Sequence, residues 1–159
     1  MTSTWQTGIR PADWKAEWVS ATDSTLPAYF RKGISLSKKV RKATAYITSH
    51  GLYEAYVNGS RIGNDELTPG WTSYFKRLQY QAYDVTRMLQ QGRNTLAAVV
   101  SPGWYSGGMG TGNPKNRYKY GKDVSLLMQV NIEYSDGTKE SIVTDGSWEC
   151  CVPAEEQSA

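Results

Sequence analysis

The chain has 159 residues, enough for one domain with a core and too few for a comfortable two. Charged residues make up 21% and the AVILMFWYC set 39%, which excludes a disordered chain. A net charge of +3, from 18 basic and 15 acidic residues that are well mixed, lacks the clustered basic face of a nucleic-acid binder.

The opening MTSTWQTGIRP has no basic end followed by an apolar stretch, so it reads as free of a secretory signal. No apolar run approaches the roughly 18 residues of a membrane-spanning helix. Residues 1–28 hold Trp5, Trp14 and Trp18 and are expected to form a lead-in segment packed on the domain. Alternation of apolar and polar residues then predicts half-buried strands over Phe30–Leu36 and Ala43–Thr48. Between them, Lys38-Lys39-Val40-Arg41-Lys42 reads as a solvated turn and strand edge, where lysine deters edge pairing. His50 falls at a strand end. Leu52–Val57, then Asn58-Gly59, then Ser60–Gly63 is a hairpin signal, because both turn residues tolerate positive φ. That reading also accounts for Asn58-Gly59-Ser60 better than a glycosylation triplet does.

Arg77–Val85 alternates as a further strand. A helical turn over Thr86–Gln91 is expected, with Asp84 or Thr86 as its cap and Gly92 as its stop. Asn94–Val100 reads as a buried strand. Ser101–Gly121 is a long Gly-rich loop, of the kind that is usually functional or mobile, and Pro102 stiffens its entrance. Val124–Tyr134 and Lys139–Thr144 are strands around a Ser135–Thr138 turn, and Asp145-Gly146-Ser147 turns again before Trp148. Residues 153–159 read as a flexible tail. About eight to ten short strands, almost no helix and regular turn signals predict an all-β antiparallel sandwich or jelly roll over residues 29–152.

The stretch from Tyr29 to Trp148 resembles the N-terminal β-sandwich domain of bacterial α-L-rhamnosidases of glycoside hydrolase family 78. The segments that carry the likeness are YFRKGISLSKKVRKATAYIT, GLYEAYVNGSRIGNDELTPGWTSYFKRLQYQAYDVT, GRNTLAAVVSPGWYSG and LLMQVNIEYSDGTKESIVTDGSW. WKAEWV around Trp14 and Trp18 is similar to the Trp-rich lead-in of these enzymes. The resemblance implies a jelly roll like that of carbohydrate-binding modules, in the galactose-binding-like class. It also implies L-rhamnose binding with calcium in some members, and hydrolysis by a separate (α/α)6 barrel.

Six Trp and eleven Tyr against two Phe make aromatics the compositional outlier. A sugar needs flat aromatic faces for its C–H surfaces and planar polar groups for its hydroxyls. Trp71, Tyr74, Trp104 and Tyr105 lie beside Gly-rich turns, with Asn113 and Asn116 as polar partners; they are the candidate carbohydrate contacts. Each Trp is equally ordinary as a core or loop anchor. Calcium wants about six to eight oxygens, and Asn64, Asp65 and Glu66, joined by Asn113 and Asn116 if the hairpin exit and the long loop meet, are the candidate ligands, read otherwise as a solvated turn. Catalysis by this chain alone is not expected. Glycosidases set two carboxylates about 5–10 Å apart across a sugar, and the adjacent Asp65 and Glu66 would point to opposite faces of a strand. His50 is the sole histidine, so a Ser-His-Asp set lacks a basis, and Cys150-Cys151 are neighbours that close only a strained ring. The expected role is a non-catalytic accessory domain that binds a rhamnose-containing glycan or shapes the cleft of a catalytic barrel. The alternatives are an interdomain packing module without a sugar site, or a stand-alone lectin.

Overall fold

Period-two alternation along each strand sorts side chains into an inner and an outer face, and two sheets bury their inner faces against each other. The computed structural model describes residues 8–21, 26–108 and 117–152. After a short 3-10 turn at Pro11–Asp13 come β1 (Val19–Ala21), β2 (Ala28–Leu36), β3 (Val40–His50), β4 (Leu52–Val57) and β5 (Ser60–Arg61). Then follow β6 (Gln81–Asp84), β7 (Gly92–Ser101), the one-turn helix α1 (Gly103–Ser106), β8 (Val124–Tyr134), β9 (Lys139–Val143) and β10 (Glu149–Cys151). The first sheet runs β1-β8-β3-β6, with β9 also paired to β8; the second runs β10-β2-β7-β4-β5. All pairs are antiparallel. This is the all-β sandwich expected from the sequence.

The core lies between the sheets. From the first come Ala43, Ala45 and Ile47 of β3 and Leu126, Met128, Val130 and Ile132 of β8; from the second come Phe30, Tyr53, Ala55, Leu96 and Val100. Full burial of one such large apolar side chain contributes about 1.5–3 kcal/mol. The lead-in joins the sandwich in two ways. Its β1 pairs with the start of β8, Val19 opposite Leu126. Its Trp14 ring meets Tyr46 and Tyr80 edge-on at 6.3 and 5.7 Å, on the outer face of the first sheet. Trp5 and the tail 153–159 lie outside the described residues.

Asn58 and Gly59 take φ of 51° and 80°, the left-handed pair that the tight β4–β5 hairpin demands. Asn58 does more than turn: its Oδ1 accepts from Thr95 N at 2.9 Å, and its Nδ2 donates to Met88 O and Asn94 Oδ1.

Three local expectations are corrected. Arg77–Val85 is a strand only over Gln81–Asp84. Before Gln81, the Thr48 hydroxyl takes the Gln79 carbonyl at 2.6 Å, and Tyr80 OH donates to Ile9 O, so the chain leaves the ladder toward the lead-in. The stretch after Asp84 is a turn at 86–88 and not a helical turn to Gln91. Asp84 Oδ1 does accept from Thr86 N, but buried Asn94 then bonds both Gln90 N and Gln90 O and ends any helix there. Gly92 is therefore the first residue of β7 and not a helix stop. Finally, the Gly-rich loop is not loop throughout. Pro102 begins α1, its carbonyl accepting from Ser106 N at 3.2 Å.

Candidate functional site

The β5–β6 connection and the β7–β8 connection meet at one end of the sandwich. The first is pinned beneath its surface. Tyr53 N donates to Thr68 O at 2.8 Å, Thr68 Oγ1 donates to Tyr53 O at 2.6 Å, and Gln81 Nε2 donates to Pro69 O at 3.2 Å. Buried Thr72 donates to Arg77 O at 2.8 Å, closing the loop. This tether leaves Trp71 51% exposed and Phe75 73% exposed, while Tyr74 is half-buried.

Tyr74 reaches across to the other connection. Its ring stands edge-on to Tyr105 of α1 at 5.4 Å and tilted to Tyr120 at 4.9 Å, and Phe75 leans on Tyr120 at 5.0 Å. Tyr105 in turn stacks on His50 at 4.6 Å, and His50 stacks on Trp18 at 4.1 Å. The result is a continuous ribbon, Trp18-His50-Tyr105-Tyr74-Tyr120-Phe75. Tyr105 is held against bare backbone: a Cβ on Gly121 would lie 2.3 Å from its hydroxyl.

The ribbon is polar at its edges and neutral. Burial, and then the neighbouring phenols Tyr120 and Tyr105, push the Tyr74 hydroxyl above its ordinary pKa. Burial, and then Asp123, do the same for Tyr105. Both stay protonated at neutral pH, and the Tyr74 hydroxyl donates to Gly70 O at 3.4 Å. Burial between two rings lowers the His50 pKa, so its imidazole is held neutral, with Nδ1 2.8 Å from Ser125 Oγ. Exposed flat rings beside phenol hydroxyls are the surface that a pyranose needs.

Of the sequence candidates, Tyr74 and Tyr105 are brought into contact, with Trp71 exposed on the same loop as Tyr74. Trp104 sits beside Tyr105 on α1 and is half-buried. Asn113 and Asn116 lie outside the described residues. Trp18, His50, Phe75 and Tyr120 were missed; their spacing in sequence carries no signal, because only tertiary packing aligns them.

Asn64, Asp65 and Glu66 form an exposed turn apart from the ring contacts of the ribbon. The Arg61 guanidinium lies 2.9 Å from Glu66 and 3.5 Å from Glu54, and also donates to the Asp65 carbonyl at 2.9 Å. The Asp65 carboxylate accepts from Tyr83 OH at 2.8 Å, and burial and that bond push the Tyr83 pKa up to about 12. Arg61 is thus the charge partner of this turn, and a calcium ion there would need about six to eight convergent oxygens. Among the described residues no three His, Cys, Asp or Glu side chains converge on a metal position. Cys150 and Cys151 are free thiols on the edge strand β10.

Residues 38–158 match the family described as the α-L-rhamnosidase N-terminal domain. An α-L-rhamnosidase of Streptomyces avermitilis is 51% identical over 111 residues, which are 70% of this chain and 10% of that protein. A crystal structure of a Streptomyces avermitilis α-L-rhamnosidase complexed with L-rhamnose superposes with TM-score 0.75 at 45% identity, over 80% of this chain and 12% of that one. The native α-L-rhamnosidase of Aspergillus terreus superposes with TM-score 0.84 at 38% identity, over 91% of this chain and 17% of that one. The chain thus spans about a tenth to a sixth of the length of the relatives it matches.

Proposed function

The chain belongs to the α-L-rhamnosidase N-terminal domain family, within glycoside hydrolase family 78, and we propose that it is a non-catalytic accessory domain that engages a rhamnose-containing glycan through the Trp71–Tyr74–Tyr105 surface. One observation carries this reading: the tether of Thr68 and Thr72 holds a tryptophan and a phenylalanine in solvent beside neutral, donor-competent phenols. Apolar rings held out of the core cost burial, and a ligand face restores it. Trp71 would stack on the apolar face of the sugar; Tyr74 and Tyr105 would orient its hydroxyls. Trp104, Asn113 and Asn116 are the further contacts this reading assigns.

Calorimetric titration of L-rhamnose, then of a rhamnose-containing oligosaccharide, into the purified chain tests it. Trp71→Ala is expected to weaken binding roughly tenfold, or about 1.4 kcal/mol. The titration is repeated with calcium and then with a chelator: loss of binding on chelation would assign Asn64, Asp65 and Glu66 to calcium, and survival would leave Glu66 to its pairing with Arg61. A second reading makes the same rings the packing face for a catalytic (α/α)6 barrel. Absence of sugar binding up to about tens of millimolar, weaker than any useful site, would favour it.

A further inference from the structure

The outer face of the first sheet carries a concavity of about 480 Å³, toward the other end of β3 from His50. Six residue steps of β3 separate Thr44 from His50, about 20 Å of strand. Its floor is a row of neutral polar residues set side by side on three strands: Thr44 of β3 opposite Asn131 of β8, and Asn131 opposite Ser141 of β9. The turn at Pro11–Asp13 and the strap running to Lys15 form one wall.

Hydrogen bonding in this groove has a direction. Gln129 is 1% exposed and fully used: its Oε1 accepts from Lys15 N at 2.7 Å, and its Nε2 donates to Asp13 O at 3.2 Å and to Asn131 Oδ1 at 2.9 Å. Ser141 Oγ also donates to Asn131 Oδ1, at 2.9 Å. The Asn131 carbonyl oxygen is thus doubly engaged, and what Asn131 has left to offer is its amino group. The carboxylates of the lining are engaged as well. Asp13 pairs with Arg10 at 2.8 Å, Glu133 pairs with Arg41, and Glu140 accepts from Tyr134 OH. Lys15, Lys42 and Lys139, by contrast, make no ion pair among the described residues. Each carboxylate of the lining has a partner; among the described residues the groups with none are donors, and three of them are cationic.

From this complementarity we infer that the groove binds a carboxylate-bearing sugar unit of an acidic polysaccharide. The lysines and the Asn131 amino group would take the carboxylate through charge-assisted hydrogen bonds, and the hydroxyl of Thr44 would meet sugar hydroxyls. The volume lies within the range of about 300–1,000 Å³ typical of small-ligand sites. A bare inorganic anion would leave most of the groove and its neutral floor unused. The inference does not depend on the aromatic ribbon, which would take a neutral sugar at the far end of the same sheet.

Amide and methyl NMR spectra of the purified chain, titrated with trigalacturonate, test it, with a neutral trisaccharide, inorganic phosphate and L-rhamnose as separate arms. Saturable shifts are expected at Thr44, Gln129, Asn131 and Ser141, and weaker binding on going from about 50 to about 200 mM salt, as screening shortens the reach of the lysines. Asn131→Asp keeps the oxygen that Gln129 and Ser141 use but replaces the donor with a charge; it is expected to weaken binding at least roughly tenfold. The exposed pair Lys42→Glu with Lys139→Glu serves the same end should the first variant lose its fold. L-rhamnose is expected to move a different set of resonances, so failure of one site is read apart from failure of the other. The inference is overturned if groove shifts are absent at about tens of millimolar, if the neutral trisaccharide or phosphate binds equally well, or if the charge-reversed variants bind unchanged.

Discussion

A histidine stacked between an indole and a phenol is poorly placed to take up a proton, and His50 is such a residue. Its pKa lies below the ordinary value because burial penalises the charged ring. The unfolded chain, with His50 near about 6.5, therefore binds more protons than the folded one as pH falls below that value. Above about pH 6.5 this residue contributes no pH dependence; below it, stability is expected to fall progressively until the folded imidazole itself protonates. Thermal unfolding midpoints between pH 7.5 and pH 5.5 check this, and His50→Phe is expected to flatten the slope. An unchanged slope in that variant would show that some other group titrates. At this scale the sequence was half legible. Tyr74 and Tyr105 are legible because they lie beside Gly-rich turns, whereas His50 reads only as a strand-end residue. Its neighbours, Trp18 and Tyr105, stand 32 and 55 residues away in sequence, and no local pattern encodes such a meeting.

Among the elements, β8 does the most joining: β3 lies along one edge, β1 and β9 along the other. Its inward residues are alternate positions from Val124 to Tyr134, and all are buried. Leu126 is fully buried, with β1 on one side and β3 on the other. Leu126→Ala is expected to cost about 2–5 kcal/mol, by transfer loss and the cavity left behind. A lower urea midpoint at unchanged slope measures it; a loss under about 1 kcal/mol would mean that the sheets collapse onto the gap. Strands with strict alternation and the Asn58-Gly59 hairpin were readable, because a period of two and a positive-φ turn are local properties. The β6 region was overextended in the sequence reading for the opposite reason. Leu78 and Tyr80 continue the alternation, yet the hydroxyl of Thr48 and the carbonyl of Ile9 compete for that backbone and side chain and end the ladder at Gln81. Gly92 was misread likewise: the buried amide of Asn94 closes the turn before it, and that amide's partners were not visible in the chain.

The whole molecule offers two surfaces on one sandwich: an aromatic ribbon at one end of the first sheet and a donor-rich groove toward the other. Among the described residues, the carboxylates of the Asn64–Glu66 turn and of Glu133 and Glu140 in the groove each have a partner. Glu66 is tied to Arg61, Asp65 to Tyr83, Glu133 to Arg41 and Glu140 to Tyr134. Glycosidic hydrolysis needs one such group as acid and another as base or nucleophile. The purified chain is therefore expected to release 4-nitrophenol from 4-nitrophenyl α-L-rhamnoside no faster than buffer does. Turnover above the blank that co-purifies with the chain and falls on Asp65→Asn would overturn this.

The sequence by itself determined that the fold is all-β, roughly where most strands lie, and, through long specific strings, the family. These follow from alternation, turn chemistry and contiguous motifs, each confined to neighbouring residues. Only the tertiary structure decided which aromatics share a surface, that Arg61 pairs with Glu66, and that Asn131 faces its groove as a donor. Those depend on strands far apart in the chain lying side by side, and on which of several competing partners each polar group finds once they do.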